Sequence, residues 1–281
     1  MSLEQAAAIA EMIEKPLRLR LAEGAARPLI LGLCGAQGSG KTTVAASLRQ
    51  KLEAGGSNTA ILALDDLYLP RDARESLART VHPLLVTRGV PGTHDVPLGQ
   101  SLLDALARRG TVTLPRFDKA TDTRKPLAEW DSVGAPADVI IFEGWCVGAR
   151  PQTDAALAAP VNALERDEDS GGSWRRWVNA QLAGSYQALF ARIDMLVLLA
   201  APGFKIVSTW RRQQEHALRK ALADQGLDAS ETLDDRQIDR FILHYQRLTE
   251  HILAEMPQQA DMVIPLDAQR RPMLANQNIG L

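Results

Sequence analysis

Residues 28–45 read P-L-I-L-G-L-C-G-A-Q-G-S-G-K-T-T-V-A, and this stretch decides the fold. It opens with a short apolar run, which is typical of a strand buried on both faces of a parallel sheet. A glycine-rich turn with the pattern G-x-x-x-x-G-K-T follows, and residues 41–53 are predicted to form a helix. A strand, a glycine-rich turn and a helix in this order predict a loop whose backbone N–H groups surround a phosphate.

This predicted phosphate loop supplies the candidate nucleotide contacts. Glycine suits the loop because its backbone must curl and approach the ligand closely, which a Cβ would obstruct. Lys41 would place a positive charge at the β- and γ-phosphates, and the Thr42 hydroxyl is placed to bind Mg²⁺. The candidate contacts are Gly35, Ala36, Gln37, Gly38, Ser39, Gly40, Lys41, Thr42 and Thr43. The sequence therefore predicts a site for ATP with Mg²⁺.

Composition limits the possible classes of protein. The chain has 281 residues, 46% of them hydrophobic, which is ample for a packed core. Its formal charge of −2 does not favour nucleic acid or an anionic membrane as a partner. The two cysteines, Cys34 and Cys146, form no C-x-x-C pair, which favours a reducing compartment over a disulfide framework or a zinc site. No apolar run is long enough to span a bilayer, so we expect a cytoplasmic protein, and the oligomeric state stays open.

The rest of the chain alternates predicted strands with predicted helices. Further apolar strands are expected at residues 58–64, 138–144, 195–200 and 261–266, and helices at 98–108, 174–193 and 234–256. This alternation predicts one α/β domain over residues 1–281, with a doubly wound, mostly parallel sheet of about five strands flanked by helices.

Several other segments carry weaker predictions. Residues 1–24 should form a helical extension packed on the domain, with two helices separated by Pro16. The many turn residues in 67–110 predict a functional loop, and residues 165–173 predict a charged loop. A short strand is expected at residues 111–114. His82, His216, His244 and His251 are read as core or surface residues, because nothing pairs them at metal-ligand spacing.

Acidic residues end two of the predicted strands. Asp65 and Asp66 follow the strand at 58–64, and Glu143 closes the strand at 138–144. In open α/β sheets ligands bind at this edge. Glu143 is therefore a candidate Mg²⁺ residue, and Asp65 a candidate general base and metal ligand. Asp66 is a rival to Asp65 for the role of base, and the residues alone leave the choice open.

Cationic side chains lie in the two loops between these strands. Arg88, His94, Arg116, Lys119 and Arg124 would suit an acceptor that carries a carboxylate. A nucleoside acceptor would instead need stacking rings, and this region offers only Tyr68, Phe117 and Trp130. The further substrate candidates are Asp66, Tyr68, Asp95 and Asp118.

A basic helical stretch follows the predicted strand at 195–200. It carries Lys205, Arg211, Arg212, Arg219 and Lys220. Such residues can form a lid over the triphosphate, where arginine stabilises the charge of the transition state. The alternative is an exposed basic helix face. The residues alone leave open which of these arginines would act in catalysis beside Lys41 and Asp65.

A series of motifs is similar to one known family. L-D-D-L-Y at 64–68, R-G-V-P-G-T-H-D-V-P-L-G at 88–99, L-P-R-F-D-K at 114–119, F-E-G-W at 142–145 and W-R-R-Q-Q-E at 210–215 resemble the D-glycerate 3-kinase family, in the phosphoribulokinase, uridine kinase and pantothenate kinase group. The resemblance runs from about residue 28 to residue 270 in matching order. It implies a P-loop kinase fold with lid helices, Asp65 as base, Glu143 as the metal-associated glutamate and Arg211 as the lid arginine.

The sequence departs mildly from that family. Leu67 replaces an aromatic residue, Phe117 replaces tyrosine, and Arg212 is an additional arginine. The resemblance implies transfer of the γ-phosphate of ATP to D-glycerate, giving 3-phosphoglycerate. Two alternatives remain: a kinase for another small hydroxyl acceptor, such as a pantothenate-, uridine- or ribulose phosphate-like compound, and a P-loop ATPase that switches a partner protein. The sequence lacks the N-K-x-D motif of GTPases and the L-S-G-G-Q motif of ATP-driven transporter subunits.

Overall fold

The computed structural model describes residues 1–24, 27–119, 121–224 and 233–273. The helices are α1 Leu3–Ala22, α2 Lys41–Ala54, α3 Arg71–Thr80, α4 Val96–Leu106, α5 Ala163–Glu168, α6 Ser173–Gln181, α7 Gln187–Phe190, α8 Phe204–Asp224 and α9 Asp235–Glu255. The strands are β1 Leu29–Gly35, β2 Thr59–Ala63, β3 Gly110–Leu114, β4 Phe117–Asp118, β5 Thr123–Arg124, β6 Asp131–Ala135, β7 Val139–Gly144, β8 Met195–Ala200 and β9 Met262–Pro265. Among these described residues, no helix combines the length and the apolar character needed to cross a membrane.

The central sheet confirms the predicted α/β class. Its five strands run in the order β2-β7-β1-β8-β9, and every neighbouring pair is parallel. All residues of β1 and β7 are buried, which explains why both segments are apolar without alternation. Because β2, β7 and β1 are neighbours, their carboxyl ends meet at one edge of the sheet. The phosphate loop, Glu143 and Asp65 therefore lie at the same edge.

The N-terminal helix packs on α2, as expected, but its predicted division is wrong. α1 is a single helix with Pro16 inside it, capped at its start by Ser2 and Gln5. The helix continues through Pro16 because its buried face, from Ala6 to Leu17, packs against the core on both sides of the proline. Leu3, by contrast, is 80% exposed and does not belong to the buried face of α1.

Three predicted segments also differ from the structure. The predicted loop at 67–110 contains α3, whereas α4 confirms the helix predicted at 98–108. The predicted charged loop at 165–173 begins within α5. The predicted helix at 174–193 is interrupted between α6 and α7, where Gly184 has φ −92° and ψ −115°. Glycine accepts this non-helical backbone conformation more readily than other residues.

A small excursion between α4 and β7 forms its own antiparallel pairs. β3, predicted as a strand, pairs with β6 outside the central sheet. β4 pairs with β5 to form what we call the acceptor hairpin, residues 117–124 except Ala120. The base of this hairpin is held by the Lys125 N–H, which donates to the Arg116 carbonyl at 2.7 Å.

Candidate active site

The phosphate loop joins β1 to α2 through a tight curl. Gly38 and Gly40 adopt positive φ values of +73° and +94°. A Cβ on Gly38 would come within 2.8 Å of the Trp210 Cβ, so the close approach of the loop to α8 also requires glycine. Inside the loop, the Ser39 N–H donates to the Ala36 carbonyl at 3.1 Å.

The loop presents polar groups that a phosphate would satisfy. The buried side-chain nitrogen and oxygen of Gln37 and the Ser39 hydroxyl find no hydrogen-bonding partner among the residues that the structure describes. Lys41 Nζ donates only weakly to the Ala36 carbonyl, at 3.3 Å. With the N-terminus of α2 behind them, these groups fit the triphosphate of a nucleotide.

Thr42 and Glu143 form the side of the loop where a metal ion would bind. Thr42 Oγ1 donates to Glu143 Oε1 at 2.8 Å. Burial raises the pKa of Glu143, although the nearby charge of Lys41 opposes this effect. In the described part of the chain, no cluster of three or more His, Cys, Asp or Glu residues could hold a metal ion by itself. This arrangement fits Mg²⁺, which usually takes one or two protein carboxylates together with phosphate oxygens and water.

One cavity of about 1040 Å³ brings the predicted donor and acceptor groups together. The site residues predicted from the sequence that line this cavity are Gln37, Gly38, Gly40, Lys41, Thr42, Thr43, Asp65, Tyr68, Arg88, Asp118, Lys119, Glu143 and Arg211. Gly35, at the end of β1, Ala36 and Ser39 form the base of the phosphate loop beneath it. The cavity therefore has room for a nucleotide and a small second substrate.

Asp65 lies in a single 3₁₀ turn directly after β2. Lys119 Nζ donates to Asp65 Oδ2 at 2.6 Å, and the Tyr68 hydroxyl donates to Asp65 Oδ1 at 2.8 Å. Burial raises the pKa of this carboxyl, but Lys119, Lys41 and Tyr68 together outweigh burial and hold the pKa well below its usual range. Asp65 is thus ionised, and both of its oxygens accept hydrogen bonds from neighbouring side chains.

Asp66, the rival candidate, forms hydrogen bonds with protein groups and is not among the described residues that line the cavity. Its carboxylate accepts from Arg116 Nη1 at 2.8 Å and from the Phe117 N–H at 2.9 Å. Arg116 also donates to Asp131 at the surface. Asp66 and Arg116 therefore tie the acceptor hairpin to the end of β2.

His94, Asp95 and Arg124 also bond to protein groups beside the cavity. The His94 ring stacks on Tyr68 with centroids 4.8 Å apart, and its Nδ1 lies 2.6 Å from the Tyr186 hydroxyl. Asp95 caps α4, and Arg124 reaches the Tyr68 carbonyl at 3.2 Å. These three residues, like Asp66 and Arg116, are not among the described residues that line the cavity. His94 Nε2 and Arg124 Nε find no hydrogen-bonding partner in the described part of the chain, so a contact of either residue with the acceptor stays a prediction.

Arg211, the predicted lid arginine, lies on α8 and lines the cavity. Arg211 pairs with Glu215 at 2.6 Å, and its guanidinium lies 5.5 Å from the centre of the Phe241 ring. Arg212 points elsewhere and pairs with Asp239 at the surface. Among the described residues, Arg211 therefore lines the cavity and Arg212 does not.

Sequence reasoning missed several residues that line the cavity. Arg270 donates from Nε to the Gly38 carbonyl at 2.5 Å and lies over the Trp210 ring at 5.0 Å. It follows β9, so the rule that ligands bind at the carboxyl edge could have indicated it. Met1, Arg74 and Asp122 also line the cavity, and no sequence signal pointed to Met1 or Asp122.

Two aromatic residues reach the cavity from outside the two acceptor loops. Trp145 Nε1 donates to the Gly89 carbonyl at 2.8 Å, and the Tyr245 hydroxyl donates to the Arg88 carbonyl at 2.8 Å. The two rings pack edge to face, with centroids 4.9 Å apart. They thereby fix the backbone that carries the Arg88 guanidinium.

The chain is similar to one protein family and to several known proteins. The model of the phosphoribulokinase/uridine kinase family matches residues 30–149. The protein named "Uncharacterized kinase mug58" from Schizosaccharomyces pombe is 35% identical over 228 residues, which cover 78% of this chain and 79% of the relative. The chloroplastic D-glycerate 3-kinase of Arabidopsis thaliana is 30% identical over 264 residues, which cover 89% of this chain and 55% of that protein.

A solved structure supports the fold. The structure of D-glycerate 3-kinase from Cryptococcus neoformans var. grubii superimposes with a TM-score of 0.73 at 24% identity, and covers 97% of both chains. The family match, the relatives and the arrangement of strand, phosphate loop and helix agree with one another. The chain therefore belongs to the phosphoribulokinase/uridine kinase family of P-loop kinases.

Proposed function

We propose that this kinase transfers the γ-phosphate of ATP to a hydroxyl group of a small hydroxy acid, with D-glycerate as acceptor and 3-phosphoglycerate as product. The observation that carries the proposal is one cavity lined by the phosphate-loop residue Lys41, the carboxylate Asp65 and the cations Arg88 and Lys119. Similarity to the D-glycerate 3-kinase of Arabidopsis thaliana supports this choice of acceptor.

The donor half of the site holds ATP. The backbone of the phosphate loop, the N-terminus of α2 and Lys41 would bind the phosphates. Thr42, Glu143 and Asp65 are the protein groups that would hold Mg²⁺, which would neutralise charge on the β- and γ-phosphates. The polar side-chain atoms of Gln37 and Ser39, which have no partner in the described ranges, support this assignment.

The acceptor half supplies the base. Asp65 takes the proton of the acceptor hydroxyl, and the hydroxyl oxygen forms a bond to the γ-phosphorus. The bond between the γ-phosphorus and the bridging oxygen breaks, and ADP leaves with that oxygen. Lys41 and Arg211 stabilise the negative charge of the phosphoryl group during transfer.

The carboxylate of the acceptor needs a cationic partner. A guanidinium binds a carboxylate through two parallel hydrogen bonds, which fixes orientation as well as charge. Arg88 lines the cavity, and its backbone carbonyl accepts a hydrogen bond from the Tyr245 hydroxyl. A fixed arginine of this kind suits a small hydroxy acid, whose hydroxyl must be directed to Asp65.

An acceptor panel tests this proposal. ADP release is measured with D-glycerate, other hydroxy acids, pantothenate, sugars and nucleosides, each against a blank without acceptor. We expect D-glycerate to raise ADP release well above the blank. If another hydroxyl compound does so and D-glycerate does not, the acceptor assignment is wrong while the kinase class stands. Hydrolysis that no acceptor changes would favour an ATPase switch.

A further inference from the structure

A carboxylate already lies between two arginines in the cavity. Asp122 Oδ2 accepts from Arg74 Nη2 at 2.6 Å, and its other oxygen accepts from Arg88 Nη1. Asp122 projects from the turn of the acceptor hairpin, where its φ is +53°. All three side chains line the cavity.

The two arginines are held in place by other groups besides Asp122. Arg74 is fully buried, and it donates to the Leu69 carbonyl at 3.1 Å and the Val86 carbonyl at 2.5 Å. The Arg88 guanidinium lies 5.6 Å from the centre of the Phe117 ring. Carbonyls and a ring carry no full charge, so among the described residues Asp122 is the carboxylate that pairs with these two arginines. Two preset guanidinium groups facing one anion position make a binding site for a carboxylate.

The same turn also supplies the ion-pair partner of the candidate base, Asp65. Lys119, on the other side of the turn from Asp122, places its ammonium group on Asp65. The hairpin thus puts an anion on the arginines and a cation on the base. A hydroxy acid offers groups to both places, with its carboxylate for the arginines and its hydroxyl for Asp65.

We infer that Arg74 and Arg88 form the carboxylate subsite for the acceptor, and that Asp122 is an internal occupant which the acceptor carboxylate displaces. This inference rests on the proposed function, since it names the groups that recognise the hydroxy acid. When Asp122 leaves, the turn carries Lys119 away from Asp65, and the base becomes accessible to the acceptor hydroxyl. Binding of the acceptor and release of the base are therefore one event.

The build of the hairpin allows this displacement. β4 and β5 contribute only two residues each, Phe117–Asp118 and Thr123–Arg124. Short isolated hairpins of this kind have little stability of their own. The base of the hairpin is fixed to Asp66 and Arg116, so the turn can move while the central sheet stays in place.

The substitution Asp122→Asn tests the inference because it removes the competing charge with little change of shape. Binding of D-glycerate and of propionate, a carboxylate without a hydroxyl, is measured by calorimetry in the absence of nucleotide. We expect Asp122→Asn to bind D-glycerate roughly three- to tenfold more tightly, because a larger fraction of molecules has an open subsite. If Asp122 instead serves to orient the arginines, binding weakens or stays the same, and that result overturns the inference.

Two matched variants serve as controls. Glu129→Gln also replaces a carboxylate by an amide, in a surface ion pair in which Lys125 Nζ lies 3.2 Å from Glu129 Oε2. This variant should bind D-glycerate and propionate as tightly as the unsubstituted protein does. Adding Arg88→Gln to Asp122→Asn should abolish the gain. If the gain persists in the double variant, Arg88 is not part of the subsite and the inference fails.

A second measurement needs no variant and covers the case in which Asp122→Asn does not fold. Hydrogen exchange of a peptide spanning residues 117–124 is followed in the unsubstituted protein with and without propionate. We expect faster exchange in the turn on binding and no change in β3 and β6. Slower exchange, or no change, overturns the displacement.

The outcomes separate this inference from the proposed function. If propionate binds more tightly to Asp122→Asn while D-glycerate is never phosphorylated, the subsite stands and the acceptor assignment falls. If D-glycerate is phosphorylated but Asp122→Asn binds it no better, the proposed function stands and the inference falls. Failure of both carboxylates to bind Asp122→Asn also overturns the inference.

Discussion

Lys119 Nζ lies 2.6 Å from Asp65 Oδ2, so the candidate base is ion-paired with a cation of the acceptor hairpin. The partner of the base comes from a segment 54 residues further along the chain. Lys119 keeps Asp65 ionised, and it also occupies the place that an acceptor hydroxyl would take. The proposed reaction therefore begins with an exchange of partners at Asp65.

The substitution Asp65→Asn tests the role of the base. We expect turnover to fall by roughly 10²- to 10⁴-fold, the usual contribution of a general base, while ATP binding changes little. Steady-state ADP release and ATP titration measure the two effects. Asp66→Asn is the matched comparison and should retain far more turnover, because Asp66 is bonded to Arg116 and the Phe117 N–H. The reverse ranking of the two variants would transfer the role of base to Asp66.

The two lid arginines should differ sharply. Arg211→Gln should lower kcat at least roughly tenfold, because Arg211 lines the cavity and would stabilise transition-state charge. Arg212→Gln should stay close to the unsubstituted protein, since Arg212 pairs with Asp239 at the surface, where ion pairs contribute little. Initial rates at saturating ATP and acceptor compare the two variants. Equal losses in both would contradict the assignment of Arg211.

Gly38→Ala tests the geometry of the phosphate loop. Both Gly38 and Gly56 have positive φ, at +73° and +84°, so alanine at either position costs roughly 1–2 kcal/mol of stability. Of these two positions, only at Gly38 would the new methyl group meet Trp210, whereas no atom of the described residues lies within 4 Å of a Cβ on Gly56. We expect Gly38→Ala to weaken ATP binding by at least roughly tenfold and Gly56→Ala to leave it unchanged. An equal ATP affinity in both variants would count against the close packing of the loop on α8.

Stability should fall as the pH is lowered from about 6.5 to about 4. Burial lowers the pKa of His94 to about 4, although the charge of Asp65 opposes this effect. Burial also lowers the pKa of His244 to about 4; the charge of Arg240 acts in the same direction, and the charge of Glu168 raises this pKa. In this window the unfolded chain, with ordinary histidine pKa values, binds more protons than the folded protein. The free energy of unfolding therefore decreases by at most about 1.4 kcal/mol per pH unit for each histidine.

Urea unfolding at several pH values measures this slope. His244→Asn should flatten it, because asparagine cannot take up a proton in the unfolded chain. His244 is the better of the two positions to replace, since it lies on α9 among Trp174, Arg240 and Phe241, away from Asp65. A slope that is unchanged in His244→Asn would show that the pKa of this histidine is the same in the folded and unfolded states.

The sequence predicted the parallel sheet and the groups that meet at its carboxyl edge, for a physical reason. Buried parallel strands are apolar without interruption, and groups at their carboxyl ends must meet at one edge. Asp65, Glu143 and the phosphate loop each follow or close such a strand, so the order of the residues is enough to predict that they lie close together.

Other elements leave no periodic apolar signal. α3 has the sequence R-D-A-R-E-S-L-A-R-T, and its buried residue is Arg74, so no apolar stripe marks it as a helix. A buried arginine that faces a cavity looks in the sequence like one more charge in a loop. The pairing of Asp122 with Arg74 and Arg88 was equally hidden, because it depends on how the acceptor hairpin folds back over α3 and the segment at 86–89.

His94 shows a further limit of sequence reasoning. Its place in R-G-V-P-G-T-H-D suggested contact with the acceptor, yet the ring is buried between Tyr68 and Tyr186. The residue type fits either role, and only the packing of α7 and its preceding turn distinguishes them. The motif therefore pointed to residues near the cavity, and the tertiary structure decides which of them line it.

The most direct test of the central claim is the identity and amount of product formed from ATP and D-glycerate. Phosphorus NMR and an ADP assay follow the same reaction mixture. The proposed function predicts equal amounts of ADP and 3-phosphoglycerate, and formation of both by Asp65→Asn at a rate roughly 10²- to 10⁴-fold lower. ADP formation that is independent of D-glycerate, or phosphorylation of a different acceptor in its place, would contradict it.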